Sequence, residues 1–280
     1  MITDAHTHLW DRRRFRYDWL DQEPALPRRF LADDLAASSD LSERFVFVQA
    51  DTAAAEGYDE AAWVESLDPG HERLAGIVAY APLEHQDAER ALDALASIPS
   101  VVGVRRLLQQ EPDEFLAAPA LHAGLRAVAG RGWTFDACVR WRQLPALADL
   151  AARHPALAIV LDHLGKPPLR SGPNSDAFTE WRLHLQRLAA LPNVSVKLSG
   201  LPAEADRGLG ADYGPWLRCA TELFGPDRSM LGSDWPVSAV GFSSSRDDWF
   251  RIVQQCLAPS EAEWRAVSDL TAKRFYGLEG

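Results

Sequence analysis

ITDAHTHLWDRRRFRYDWL, residues 2–20, decides between two folds. Its first residues suit a strand, yet no glycine follows them. A doubly wound α/β sheet normally places a glycine-rich phosphate loop after its first strand. Here that position holds His6-Thr7-His8-Leu9-Trp10. In a regular strand alternate side chains share a face, so His6 and His8 project to one side with Ile2 and Asp4. Two imidazoles about 7 Å apart at a strand's C-terminal end can clasp a metal ion, or can simply hydrogen-bond inside a core.

Seven more apolar, β-branched runs follow, at 45–51, 74–81, 101–107, 134–139, 157–163, 194–200 and 229–235. Helical spacing fills the gaps, with Leu121, Leu125 and Val128, then Trp181, Leu185 and Leu188, each at i, i+4 and i+7. Strands apolar at most positions belong in parallel sheets covered on both faces. Eight strand–helix units without a break in composition predict one domain over residues 1–280, an α/β chain closed as a (β/α)8 TIM barrel.

The formal net charge of -11 argues against nucleic acid and anionic membrane surfaces as partners. No apolar run reaches the roughly 20 residues that cross a bilayer. Cys138, Cys219 and Cys256 form neither a CxxC site nor a disulfide framework, so the sequence predicts a reduced, cytoplasmic protein. Nothing in it indicates an oligomeric state.

Barrel enzymes carry their active sites at the C-terminal ends of the strands. Those ends hold His6 and His8, Gln49 and Asp51, Arg105-Arg106, Asp136, Asp162-His163, Lys197 and Ser199, and Asp234. Burying so many ionisable groups is costly without a purpose, so the ring reads as a catalytic floor. Arg106 should point away from it by strand alternation. Trp10, Trp141 and Trp235 follow strands, where an aromatic face suits the C–H face of a sugar. Among ten tryptophans several must be packing.

Asp162-His163-Leu164-Gly165-Lys166-Pro167 and Leu231-Gly232-Ser233-Asp234-Trp235-Pro236, taken with His6-Thr7-His8, resemble the amidohydrolase superfamily. The branch most similar hydrolyses sugar lactones and pyrone dicarboxylates. Val101 to Arg105, Val196 to Gly200 and Thr271 to Gly277 match that branch in order. The resemblance implies a distorted (β/α)8 TIM barrel, amidohydrolase-like, with a hydrolytic site at its mouth. The superfamily's fuller metal pattern adds a Lys or Glu on strand four and a His on strand five. Arg105-Arg106 and 134–138 depart from both, which disfavours a binuclear centre. One divalent ion, zinc by preference, on His6, His8 and Asp234 and a metal-free site both stay open.

Lactone hydrolysis needs an activated water, a stabilised oxyanion and a protonated leaving alkoxide. Asp234 is the candidate base, and His163 would polarise the carbonyl or protonate the leaving oxygen. His6 and His8 act as ligands or as hydrogen-bond donors. Arg105, Gln49, Asp136, Lys197 and the three tryptophans are candidate substrate contacts, and Lys197 pairs with Asp136 or orients substrate. A single trusted strand-end arginine favours a neutral aldono-1,4- or 1,5-lactone such as fucono-, rhamnono- or galactonolactone. The alternatives are a carboxylated aromatic-pathway lactone (pyrone dicarboxylate or muconolactone type) and a metal-dependent decarboxylase. The loop at 10–30, with six arginines, is a lid for acidic compounds or a solvated face.

Overall fold

The computed structural model describes residues 2–205, 212–240 and 245–278. All eight apolar runs become parallel strands: β1 (Ile2–Thr7), β2 (Ser42–Val48), β3 (Leu74–Tyr80), β4 (Val101–Leu107), β5 (Thr134–Cys138), β6 (Ile159–Leu161), β7 (Val194–Leu198) and β8 (Ser229–Leu231). Their order in the sheet is their order in the chain, the mark of a (β/α)8 barrel. A single bridge between Thr7 and Trp235 joins the first strand to the segment after the last. Two backbone hydrogen bonds reinforce it, His8 N–H to Trp235 O at 2.9 Å and Asp234 N–H to His6 O at 2.8 Å. Helices including Gly57–Leu67, Pro119–Gly130, Leu144–Arg153, Asp176–Ala189, Gly214–Phe224 and Arg246–Leu257 cover the outside. Among the described residues no helix is long and apolar enough to cross a membrane.

Strands β6 and β8 stop sooner than their apolar runs do. His163, Leu164 and Asp234 take left-handed backbone conformations, with φ of 53°, 55° and 57°. The chain therefore leaves the strand direction just where its ionisable residues begin. Strand β1 is also irregular, with a shift of register between Asp4 and Thr7. Strict alternation would keep Asp4 and His6 on one face, and the shift separates them. Asp4 turns to Arg246 and the Ser233 amide, while His6 comes beside Arg105 and Lys197.

Inside the barrel Ala5, Val46, Val48, Val78, Val160 and Met230 pack with Ala272 and Tyr276 from the helix Thr271–Tyr276. A larger cluster fills the space between strands and helices, with Trp181 and Trp216 in edge-on contact at 5.0 Å. The first loop is tied by a short antiparallel ribbon, Trp10–Asp11 with Arg29–Phe30, which no periodicity announces.

Helix Pro119–Gly130 sets a sharp packing test. A Cβ on Gly124 would stand 2.2 Å from the Leu83 carbonyl oxygen, whereas one on Gly130 would meet nothing within 4 Å. Gly124→Ala is expected to cost about 1–3 kcal/mol through overpacking against rigid backbone. Gly130→Ala is expected to be neutral or to gain up to about 1 kcal/mol by restricting the unfolded chain. Urea unfolding of both variants beside the parent protein measures the contrast.

Candidate active site

Barrel closure sets His6 and His8 against Asp234. The Nδ1 of His8 lies 2.8 Å from the Val48 carbonyl oxygen, which can only accept, so the ring proton sits there. That leaves the His8 Nε2 lone pair facing the site, 3.2 Å from His6 Nε2 and 3.3 Å from Asp234 Oδ1. His6 Nε2 is 3.7 Å from the same carboxylate oxygen. Ligands about 2.1 Å from a tetrahedral ion stand about 3.4 Å apart, so this trio fits one divalent cation. Asp234 is held from its other side by the Ser238 hydroxyl, which donates to Oδ2 at 3.1 Å.

His163 completes the cluster. Its Nδ1 is 2.9 Å from Ser199 Oγ and its Nε2 is 3.8 Å from Asp234 Oδ1. Gly200 makes that position available, because a Cβ there would stand 2.3 Å from His163 Nδ1. Burial pushes the His163 imidazole down to about 4, so it is neutral at physiological pH. Burial also lowers His6, and the Lys197 ammonium lowers it further. Asp234 goes the other way from a buried acid. Burial opposes its ionisation, yet the His163, His6 and His8 rings around it outweigh burial and hold it below the usual carboxylate range.

Six candidate substrate contacts stand outside the cavity wall. Asp136 and Lys197 are wholly buried beneath the histidines, where Lys197 Nζ pairs with Asp136 Oδ2 at 2.5 Å and with Asp162 Oδ1 at 3.1 Å. Neither lines the cavity, because side chains in mid-strand point into the packed barrel interior. Gln49 is also buried, and its side-chain oxygen accepts the Asp51 N–H at 2.6 Å. Trp10 is packed behind Trp19, ring centroids 5.7 Å apart, with its indole N–H on Pro27 O. Trp235 is nearly covered, and Trp141 lies under Arg142 in an adjoining depression that shares Gln109, Lys166 and Glu204 with the cavity.

Arg105 does line the cavity, though its guanidinium is partly engaged, one nitrogen on the Gln49 carbonyl and another 3.4 Å from Asp162 Oδ2. Arg106 points away, to Glu84 and Glu111.

The cavity above Asp234 and His163 has a volume of about 540 Å³. Its walls include residues that motif reading passed over, Trp19, Glu23 and Leu26 from the first loop, Gln109 and Gln110 after β4, Cys138, and Val237 and Val240 after β8. Lys166 also lines it, paired with Glu204 at 2.8 Å. Its place three residues after His163 was the available signal. Trp19 had none, since loop positions follow no period. Of the loop's arginines, Arg12 pairs with Asp21 and Arg16 with Asp18, at the protein surface.

The profile of the family described as Amidohydrolase matches residues 3–278. The chain is 35% identical to the L-fucono-1,5-lactonase of Burkholderia multivorans, over 98% of this chain and 95% of that one. It is 27% identical to the L-rhamnono-gamma-lactonase of Scheffersomyces stipitis, over 55% of this chain and 51% of that one. An amidohydrolase of Burkholderia multivorans solved with bound zinc superposes with a TM-score of 0.87 at 32% identity, covering 100% of both chains.

The first loop is anchored at Tyr17, whose hydroxyl donates to the buried Glu60 at 3.0 Å. Burial raises the Glu60 carboxyl to about 8, against the lowering effect of the Tyr17 hydrogen bond. The folded chain therefore holds a proton that the unfolded chain releases, and stability falls as pH rises from the ordinary value of 4.5 towards 8. A glutamine cannot ionise. The melting temperature of Glu60→Gln, relative to the parent, is expected to climb across that interval, and thermal melts in a buffer series measure it; a constant difference would contradict the assignment.

Proposed function

From the premise that the chain belongs to the amidohydrolase family, we propose that this lactone hydrolase opens the ring of a sugar-acid lactone, preferentially a 6-deoxy-aldonolactone of the fucono or rhamnono type. The observation that carries the reading is the convergence of three imidazoles on one oxygen of an ionised Asp234 at the cavity base.

In this reading Asp234 takes the proton of a water as its oxygen attacks the lactone carbonyl. The neutral His163, with Ser199 at Nδ1, donates through Nε2 to the carbonyl oxygen as negative charge develops there. The ring C–O bond then breaks, and the proton on Asp234 passes to the leaving alkoxide. A carboxylate held at low pKa is a weaker base towards water but gives the proton up readily, so its setting favours the second transfer of this relay. A divalent ion on His6, His8 and Asp234 would supply Lewis-acid polarisation when bound, and a related structure with zinc supports that assignment.

Barrel order supports the substrate class. Trp19 and Leu26 follow β1, with Glu23 between them, and Val237 and Val240 follow β8, the strand beside it, so the larger apolar side chains gather in one arc of the wall. Asp51, Arg105, Gln109, Gln110, Lys166, Arg170 and Glu204, on or after β2 through β7, make the rest mainly polar, with Leu107, Cys138, Ala203 and Ala205 among them. A lactone carrying a methyl group at one end and hydroxyls at the other matches that division. A dicarboxylate requires a bidentate cation for each carboxylate, and of the cations on the wall, Arg105, Lys166 and Arg170, the first already serves Asp162 and Gln49 and the second pairs with Glu204, so it matches the wall less well. The decarboxylase alternative lacks its metal ligand on β5, where Asp136 is bound to Lys197 and Tyr276.

Two measurements test the proposal. Asp234→Asn is expected to lower kcat by about 10²–10⁴ while leaving the melting profile near that of the parent. Zinc content determined alongside separates loss of a base from loss of a ligand, and near-parental kcat would remove Asp234 from its role. The second compares L-fucono-1,5-lactone with L-galactono-1,5-lactone, which differ only by a hydroxyl at C6. Placing that hydroxyl against the apolar arc is expected to cost about tenfold or more in kcat/KM. Equal rates would overturn the 6-deoxy preference and leave the lactonase reading standing.

A further inference from the structure

We propose that Lys197 is a built-in cation of the site, its ammonium occupying the place where Asp136, Asp162 and His6 would otherwise bind a cation from solution. The ammonium has three N–H donors and no lone pair. It hydrogen-bonds Asp136 Oδ2 at 2.5 Å and His6 Nδ1 at 3.0 Å, and it pairs by charge alone with Asp162 Oδ1 at 3.1 Å, an oxygen otherwise without a hydrogen bond. These come from β5, β6 and β1, and all four residues are wholly buried. Tyr276 closes the cage from below, its ring centroid 5.7 Å from Nζ and its hydroxyl donating to both oxygens of Asp136 at 2.9 and 3.1 Å. Two buried carboxylates and an imidazole around one point are the donor set of a cation site. Here the cation is covalently part of the chain.

The contact also fixes His6. Because Lys197 can only donate, the Nδ1 of His6 accepts and its ring proton rests on Nε2. That N–H faces the lone pair of His8 Nε2 at 3.2 Å, and His8 in turn donates through Nδ1 to Val48. The polarity runs along the row from Lys197 through His6 and His8 to the backbone, against one longer contact, Arg105 Nη1 at 3.4 Å from His6 Nε2, which also can only donate. A divalent ion on His6 Nε2 requires the proton to move to Nδ1, where Asp162 Oδ1 at 3.3 Å is the available acceptor. Lys197 must give up that contact first. The same ammonium that completes the lower cage thus opposes metal capture by the trio above it, and acts on the reaction as a positioning residue.

Lys197→Ala, which empties the cage, and Lys197→Met, which fills it without charge, test the proposal. Burial already pushes the Asp136 carboxyl up to about 6, so it can take a proton when the ammonium is gone, and both variants are expected to fold by circular dichroism. Zinc affinity, read by calorimetry, is expected to rise about tenfold or more in Lys197→Ala, the size of effect that supporting contacts have on metal sites. Ammonium chloride, but not sodium chloride at equal strength, is expected to raise the melting temperature and rate of Lys197→Ala saturably, and to leave Lys197→Met unchanged. The rate readout rests on the proposed lactonase activity, whereas zinc affinity and melting temperature do not. Parental zinc affinity in both variants, with no response of the alanine variant to ammonium, would overturn the proposal.

Discussion

The closure of β1 onto the segment after β8 is the interaction on which the site depends. Two backbone hydrogen bonds and one bridge perform it, and they lie at His6, His8, Asp234 and Trp235. The ladder that shuts the barrel is thus the one that brings the imidazoles to the carboxylate. Asp4 secures the same seam from outside, accepting the Ser233 and His6 amides and pairing with Arg246 at 3.2 Å. A buried Asp–Arg pair contributes little net stability, but breaking it leaves an uncompensated charge, so its effect is to hold one arrangement.

Below the seam, charge balance shapes the chemistry. Asp136 and Asp162 are close enough to share one ammonium, and they respond oppositely: burial raises Asp136, while Lys197 and His6 outweigh burial and hold Asp162 well below the ordinary range. Arg105 adds a second fixed cation at the edge of this group. The floor therefore keeps His6 and His163 neutral and Asp234 ionised at physiological pH, the protonation states that the proposed water activation and carbonyl polarisation require.

The strands were legible because burial on both faces leaves an apolar run that survives any detail of packing. His6, His8, His163 and Asp234 were legible because each sits where a strand ends, and strand ends share one rim. What the sequence hid has two causes. Lys197 and Asp136 look like strand-end residues, but a side chain in a barrel interior is covered by its neighbours from other strands, and one chain's spacing does not reveal that layer. Trp10 and Trp19 lie nine positions apart in an aperiodic loop. Which of them faces the cavity is set by the ribbon Trp10–Asp11 with Arg29–Phe30, a long-range pairing with no local signature.

Tyr276 gives this architecture an order of assembly. Its hydroxyl reaches Asp136 from the helix that follows β8, across 140 positions of sequence. His6 leaves the ribosome well ahead of Tyr276, the residue that braces its cage. During synthesis the histidines exist long before the groups that fix their protons. The cage around Lys197 is therefore complete only once Tyr276 has packed into the base of the barrel.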